Sequence, residues 1–352
     1  MENNGVLVAL SGGVDSSVCI RLLQEQGFFV QAAVIEFSPA HQRAVQAAAE
    51  SAERLGVSLH VLRCHALFEQ AVIRPFAQAY LQGETPNPCI LCNPLVKFRL
   101  MAEKARELSL SHIATGHYAR VECIGERFAI RRAASLARDQ SYMLYRLGQQ
   151  ELSMLLLPLF GMEKTDIRKK AAELSLPCAD APDSQEICFI EEGDYPRYIE
   201  EHYGAGPRGF FISPEGKRCG PHRGIIRYTV GQRKGLGLSL GRPVCIRRID
   251  AESGDIFLGE YNEVLTSRIT LSDCVWQPFE RPVKAFDCQG KIRSQSRPAA
   301  CRVLPLPGGK VQVEFSEPQR APTPGQSCVL YEGELLLGGG FIEPPKESLQ
   351  SV

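Results

Sequence analysis

The stretch Ala9-Leu10-Ser11-Gly12-Gly13-Val14-Asp15-Ser16-Ser17 constrains this chain more than any other. It follows an apolar run at 5–10 that reads as a buried strand. It opens a helical period in which Val18, Cys19, Leu22 and Leu23 share one face until Gly27 stops it. Two adjacent glycines let the backbone turn tightly and aim successive N–H groups inward, and the positive end of the following helix adds to them. A phosphate is therefore the natural guest. Ser11, Ser16 and Ser17 add hydroxyls. The loop lacks the lysine of GxxxxGK[ST] and the spacing of GxGxxG, so it is neither of the two common phosphate loops. Asp15 would repel a bare phosphate unless a cation lay between them, which points to Mg2+ on a pyrophosphate. A plain strand-to-helix turn with serine caps would account for SGG alone, but not for the full string.

The spacing around this loop predicts an α/β fold. A strand at 30–37 is followed by Ala44, Val45, Ala48, Ala49, Ala52 and Leu55 at helical spacing before Gly56, then by a strand at 59–62. Helices over 67–82 and 95–108 flank a proline- and cysteine-bearing loop, and 112–115 is a short strand leading into Gly116. Strands joined through helices run parallel, so a doubly wound parallel sheet is expected. Beyond about residue 194 short strand-like runs, such as 224–230, 244–250, 256–258, 283–286, 310–315 and 328–331, alternate with turns. The expected units are a nucleotide-binding domain at 1–200, a small central domain at 201–270, a C-terminal β-barrel at 271–346, and a tail at 347–352. With 352 residues, 44% of them apolar, each unit can fill a core.

Forty basic residues offset forty acidic ones, so any polyanion site must be a local patch. Two stretches qualify. Lys217, Arg218, Arg223, Arg227, Arg233 and Lys234 face only Glu215, while Arg281, Lys284, Lys291, Arg293, Arg297 and Arg302 face only Asp287; such runs are often solvated faces. The nearly apolar run at 154–162 is broken by Pro158 and too short to cross a bilayer, and no secretory leader is expected of the first residues. A cytoplasmic monomer is expected, its thirteen cysteines reduced.

Two of those cysteines stand in Thr85-Pro86-Asn87-Pro88-Cys89-Ile90-Leu91-Cys92-Asn93, a proline-rigid loop opening a helix. A thiolate at a helix N-terminus is stabilised by the dipole, so a lowered pKa and a nucleophilic or metal-ligating role are expected. No second CxxC follows, which argues against a closed zinc site. A third candidate, Cys188, lies in Asp183-Ser184-Gln185-Glu186-Ile187-Cys188-Phe189-Ile190.

SGGVDSS resembles the PP-loop of N-type ATP pyrophosphatases, which cleave ATP between the α and β phosphates and transfer AMP to a substrate oxygen. TPNPCILCN, ATGHYAR, RDQSYMLYRL, PDSQEICFI, YTVGQRKGLG and the late GGGFI occur in the order found in tRNA-specific 2-thiouridylases, and the resemblance runs from about residue 5 to 342. It implies ATP held by Ala9, Leu10, Ser11, Gly12, Gly13, Val14, Asp15, Ser16, Ile35 and Gly116. It further implies a persulfide on Cys188, received from a sulfur-carrier protein or cysteine desulfurase, with Cys92 as nucleophile and a transient disulfide between them. The anticodon stem-loop of tRNA would be contacted by Asn87, Pro88, His117, Arg138, Asp139, Gln140, Arg293, Ser294 and Gln326. One position departs from the family pattern: Cys89 stands where many members carry the Asp assigned a role beside the target base. Cys89, Cys92 and Cys188 could then hold three irons of a [4Fe–4S] cluster, and the two sulfur routes stay open. Two other readings remain, an adenylating synthetase acting on a small carbonyl or carboxylate, and an RNA-binding scaffold with a structural metal. Cys188→Ser is expected to abolish thiolation, measured by nucleoside mass spectrometry, while sparing ATP binding; retained thiolation would remove Cys188 from the mechanism.

Overall fold

A computed structural model describes residues 4–179, 187–190 and 193–345. The expected tail at 347–352 and residues 183–186 ahead of Cys188 lie outside the described residues. The chain opens with β1 (Gly5–Ala9), α1 (Val14–Glu25), β2 (Phe29–Glu36), α2 (Gln42–Leu55) and β3 (Leu59–Arg63). Next comes a long helical passage, α3 (His65–Phe68), a π turn at Glu69–Ile73 and α4 (Arg74–Leu81), and after a loop α5 (Pro88–Cys92), a π turn at Asn93–Lys97 and α6 (Phe98–Glu107). Then β4 (His112–Ala114) enters the sheet, the hairpin β5 (Ala119–Ile124) and β6 (Arg127–Arg132) leaves it, and α7 (Gln149–Leu152) leads to β7 (Leu155–Leu156). The five strands pair in parallel in the order β3-β2-β1-β4-β7, the doubly wound sheet that the alternation predicts.

Both faces of β1 are covered, which is why its apolar run is unbroken. Val6 and Val8 pack with Cys19, Ile20 and Leu23 of α1, while Leu7 turns to the other side with Phe98 and Met101 of α6. The chain steps from β1 outward to β2 and β3, then returns to place β4 on the opposite side of β1. At that reversal the loops following β1 and β4 diverge, and a crevice opens at their carboxyl ends.

The helix expected from residue 95 begins at Pro88. Asn87 Oδ1 accepts the Cys89 N–H at 3.2 Å and caps the new start, and proline at the first helical position costs no hydrogen bond. The π turn at Asn93–Lys97 then carries the helix on, an irregularity frequent at functional sites.

Beyond α8 (Lys164–Glu173) and α9 (Tyr195–Tyr203), a small sheet pairs in the order β10-β11-β8-β9, from β8 (Phe210–Ile212), β9 (Arg218–Pro221), β10 (Cys245–Ile249) and β11 (Ile256–Gly259). The run at 224–230, expected as a strand, is instead a 3-10 turn at Ile225–Arg227 with Ile225 and Ile226 buried. A short apolar run reports burial without fixing the backbone that achieves it.

The remaining strands, β12 (Leu265–Trp276), β13 (Phe286–Lys291), β14 (Ala299–Pro305), β15 (Val311–Arg320), β16 (Ser327–Glu332) and β17 (Leu335–Ile342), form an antiparallel barrel closed by β12 against β17. The strand expected at 283–286 starts only at Phe286. The β5–β6 hairpin extends this sheet through the Arg131–Leu335 pairing, so an early segment of the chain belongs structurally to its last module. Among the described residues no helix is long and apolar enough to cross a membrane.

Gln277, fully buried, fastens the hairpin to the barrel. Its amide donates to the carbonyls of Leu144 at 3.0 Å and Tyr145 at 3.3 Å and accepts the Ile130 N–H at 2.9 Å. Gln277→Leu leaves buried backbone groups without partners, at about 1–3 kcal/mol each. Thermal denaturation should record a clear loss of stability, and an unchanged midpoint would refute the role.

Candidate active site

The phosphate loop occupies the crevice. Gly12 has a φ of +78°, and a Cβ there would lie 2.7 Å from Ala47 Cβ, so only glycine permits both this turn and the close approach of α2. The serines shape the loop from within. Ser16 Oγ accepts the Ser11 N–H at 3.1 Å, and the hydroxyls of Ser16 and Ser17 both donate to the Gly13 carbonyl at 3.0 Å. Gly116, arriving from β4, lies so close that a Cβ would meet Asp15 C and Ser16 N at 3.0 Å. Ile35 is buried at the end of β2, in the same apolar cluster as Cys92.

Asp15 meets a cation supplied by the chain itself. Lys164 at the start of α8 places Nζ 2.8 Å from both Asp15 carboxylate oxygens, and the Tyr118 hydroxyl donates to Oδ1 at 2.7 Å. Neither partner stood out in the sequence. Lys164 is 149 positions away and begins an ordinary amphipathic helix.

The cysteine loop lies beyond the next residue, His117. Cys92 is the last residue of α5 and only 7% exposed, so the expected stabilisation at a helix N-terminus does not reach it. Burial instead pushes its thiol up to about 12, the nearby Cys188 and Cys89 act in the same direction, and the Lys97 ammonium opposes them. Cys188 keeps exposed surface, yet protein atoms crowd its thiol. Desolvation first, then Cys89, raise it to about 11, again against Lys97. Cys89 is exposed at the first turn of α5. His117 completes the group: burial, then the charge of Lys97, lower its pKa to about 3, so it is a neutral hydrogen-bonding ring bonded through Nδ1 to Thr115 Oγ1 at 2.7 Å. Lys97, which acts on all three, was not singled out in the sequence; no motif there marks it. Among the described residues no three His, Cys, Asp or Glu side chains are placed to hold a metal ion. Cys92 feels both Cys188 and Cys89, and Cys188 feels Cys89, so the three thiols lie near one another.

Several residues expected at the RNA turn out to hold the protein together. The Asp139 carboxylate, 1% exposed, takes hydrogen bonds from Arg132 Nε at 3.0 Å, Ala133 N at 3.2 Å, Ser141 N at 3.1 Å and Ser141 Oγ at 3.0 Å. Gln140 Oε1 accepts the Tyr118 N–H at 3.0 Å. Arg293 turns inward, donating to Ala321 O at 2.7 Å and Thr323 Oγ1 at 2.8 Å. Gln326 Nε2 donates to Thr85 O at 2.7 Å, Thr85 Oγ1 donates to Thr229 Oγ1 at 3.2 Å, and Asn87 Nδ2 donates to Met143 Sδ at 3.5 Å. The entry to the cysteine loop is thus clamped by three distant segments. Pro88 is buried, Ser294 is half-buried, and Arg138 is exposed beside Asp139. Of the basic stretches, Arg233 and Lys234 line an open groove with Arg242 and Arg320, whereas Lys291 is buried against the Tyr142 ring.

The raised thiols have a measurable consequence. A pKa near 11 makes carboxymethylation of Cys188 at neutral pH on the order of a hundredfold slower than that of a free thiol of pKa about 8.5, with the rate rising tenfold per pH unit up to pH 10. Peptide-resolved mass spectrometry measures this directly, and a plateau near pH 8.5 would contradict it.

Three family models match the chain: one described as "tRNA methyl transferase HUP domain" at residues 4–192, a "tRNA methyl transferase PRC-barrel domain" at 197–260, and an "Aminomethyltransferase beta-barrel domain" at 266–342. The tRNA-specific 2-thiouridylase MnmA of Acetivibrio thermocellus is 41% identical over 97% of this chain and 100% of its own length. The proteins of that name from Clostridium beijerinckii and Carboxydothermus hydrogenoformans are 40% and 41% identical, each over 96% of this chain and over 98% and 97% of their own. With relatives of this similarity along nearly its whole length, and with the phosphate loop and cysteine loop in adjoining positions, the chain belongs to the family of tRNA-specific 2-thiouridylases.

Proposed function

We propose that this chain is an ATP-dependent tRNA-uridine 2-sulfurtransferase acting on the wobble uridine of the anticodon stem-loop. One observation carries the reading. Gly116 abuts the phosphate loop and His117 follows it, while Lys97 acts at once on His117, Cys92 and Cys188, which supports a nucleotide on that loop sharing one crevice with the two thiols.

ATP lies with its phosphates over residues 9–16 and its adenosine toward Ile35 and Gly116; Asp15 is the residue that would hold a Mg2+ ion here, which would neutralise charge on the departing pyrophosphate. The uracil O2 attacks the α-phosphorus, the Pα–O bond to the β-phosphate breaks, pyrophosphate leaves with the electron pair, and the N3 proton is lost to solvent. The deprotonated terminal sulfur of a Cys188 persulfide adds at C2, and the C2–O bond breaks to release AMP. Cys92, as thiolate, attacks Cys188 Sγ. The S–S bond toward the base breaks, its electron pair stays on the new 2-thio group, a proton returns to N3, and a Cys92–Cys188 disulfide remains for a dithiol to reduce. Cys89 is the third thiol at the mouth of the site.

The sulfur arrives from a persulfide-bearing carrier protein or cysteine desulfurase. The catalyst is a cytoplasmic monomer of three units, 1–200, 201–270 and 271–346. The open groove with Arg233 and Lys234 grips RNA phosphates, and Asn87, Pro88, His117 and Arg138 contact the splayed anticodon, while Asp139, Gln140, Arg293, Ser294 and Gln326 fix the surfaces that receive it.

The decisive measurement is pyrophosphate release from ATP with and without tRNA, followed by nucleoside mass spectrometry with a persulfide donor. Release that requires tRNA, and 2-thiouridine formed by iron-free protein, are expected. RNA-independent release would favour a small-molecule synthetase, and no release would leave an RNA-binding scaffold.

A further inference from the structure

The barrel carries four of the thirteen cysteines, Cys274, Cys288, Cys301 and Cys328, and two of them face each other across neighbouring strands. We propose that Cys288 and Cys301 are an oxidative modification site, a thiol pair that peroxide closes into a cross-strand disulfide and a dithiol reopens, fastening the hairpin that carries Arg293. The inference goes beyond the ATP and sulfur-transfer readings and concerns thiols that neither of them uses.

Three observations support the assignment. The first is register. Cys288 of β13 pairs directly with Cys301 of β14. Directly opposed residues of an antiparallel ladder hold their Cα atoms about 4.5–5.5 Å apart, within the roughly 4.4–6.8 Å that a disulfide spans. The second is direction. Cys301 belongs to the barrel core, Cys288 packs against that core, and the two Sγ atoms are 3.6 Å apart, so side-chain rotation closes the gap to a bond of about 2.05 Å. Gly290, two residues beyond Cys288 on the same face, leaves the Cys301 sulfur its place, since a Cβ there would meet it at 3.3 Å and the Phe315 ring at 2.9 Å. The third is access. Cys288 is half-buried and open to a small oxidant, whereas Cys301 stands behind it, 5% exposed, as the resolving thiol. The other two barrel cysteines are engaged elsewhere: Cys274 Sγ donates to Leu271 O at 3.6 Å, and Cys328 is fully buried with a backbone bond to Lys291.

The chemistry balances with hydrogen peroxide as oxidant. Cys288 Sγ loses its proton and attacks one peroxide oxygen, the O–O bond breaks, and the departing hydroxide takes up that proton to leave as water. Cys301 Sγ loses its proton and attacks the Cys288 sulfenic sulfur, the S–O bond breaks, and a second water leaves. Two thiols are oxidised and one peroxide is reduced. The hydrogen bond with Cys301, then burial, holds the Cys288 thiol in its neutral form, so the reaction is slow at neutral pH and quickens as pH rises. The ring so closed contains Arg293, whose guanidinium bonds Ala321 O and Thr323 Oγ1, and the base of its hairpin can no longer fray.

The test uses the full-length protein, reduced, freed of reductant, treated with hydrogen peroxide, blocked with iodoacetamide and mapped without reduction. Trypsin cuts at Lys291 and Arg293, between the two cysteines, so their linked peptides are diagnostic. Peptides joined through Cys288 and Cys301, released by dithiothreitol, are expected. In the oxidised protein, amide hydrogen exchange in β13 and β14 should slow by about tenfold and recover on reduction. Cys301→Ala should leave Cys288 as a sulfenic acid that dimedone traps; where that variant does not fold, the wild-type map decides alone. Absence of the linkage, a linkage of either residue to another cysteine, or Cys288 advancing to sulfinic acid beside a free Cys301 would overturn the pair. A linkage that leaves exchange unchanged would overturn the fastening of the hairpin. The same map reads Cys92 and Cys188 separately, so failure here is distinguishable from failure of the sulfur-transfer reading.

Discussion

The Asp15 carboxylate is the point at which three separately encoded parts of the chain meet. It belongs to α1, it receives the Tyr118 hydroxyl from the segment following β4, and it receives the Lys164 ammonium from α8. Without that charge, the start of α8 would bring a second positive centre to a helix end already positive, and the two helices would repel where they now touch. With it, α8 and the segment following β4 are both held at the start of α1, beside the crevice between β1 and β4. A charged node of this kind contributes less to net stability than to geometry, because desolvating both ions offsets much of their attraction.

Reactivity in the neighbouring site is restrained by the same physics. Burial and neighbouring thiols favour the neutral forms of Cys92 and Cys188, and the Lys97 ammonium pulls the other way. Such thiols are poor nucleophiles at neutral pH, which on the proposed sulfur-transfer reading would keep sulfur from bystanders. A cationic neighbour then matters most at the moment when negative charge develops on sulfur. His117, kept neutral, can donate or accept a hydrogen bond beside these groups without adding to the charge.

The barrel and the central sheet contribute by bracing. Thr85, at the entry to the cysteine loop, is bonded by Gln326 from the barrel and by Thr229 from the central unit, and Asn87 is bonded to Met143. Proline on both sides of Asn87 limits what the loop itself can do, and these contacts choose among the remaining conformations. Two polar residues expected at the RNA, Asn87 and Gln326, are used in this bracing, while Asp139 and Arg293 bond elsewhere in the protein.

The sequence by itself determined the parallel sheet, the phosphate loop and the barrel, because each depends on local periodicity or on glycines whose conformational freedom is intrinsic. It also announced that Cys89, Cys92 and Cys188 were candidates. The lowered pKa expected of Cys92 is reversed by burial, because a helix end is visible in sequence whereas desolvation depends on what packs above. The 224–230 turn and the early hairpin that joins the last sheet were illegible for the same reason: burial and edge pairing are decided by partners distant in the chain. Only the tertiary structure delivered Lys164 to a loop that carries no lysine. A side chain's charge acts over a few ångströms of space, and that distance is set by how α8 packs on α1, not by the 149 positions that separate the pair in the chain.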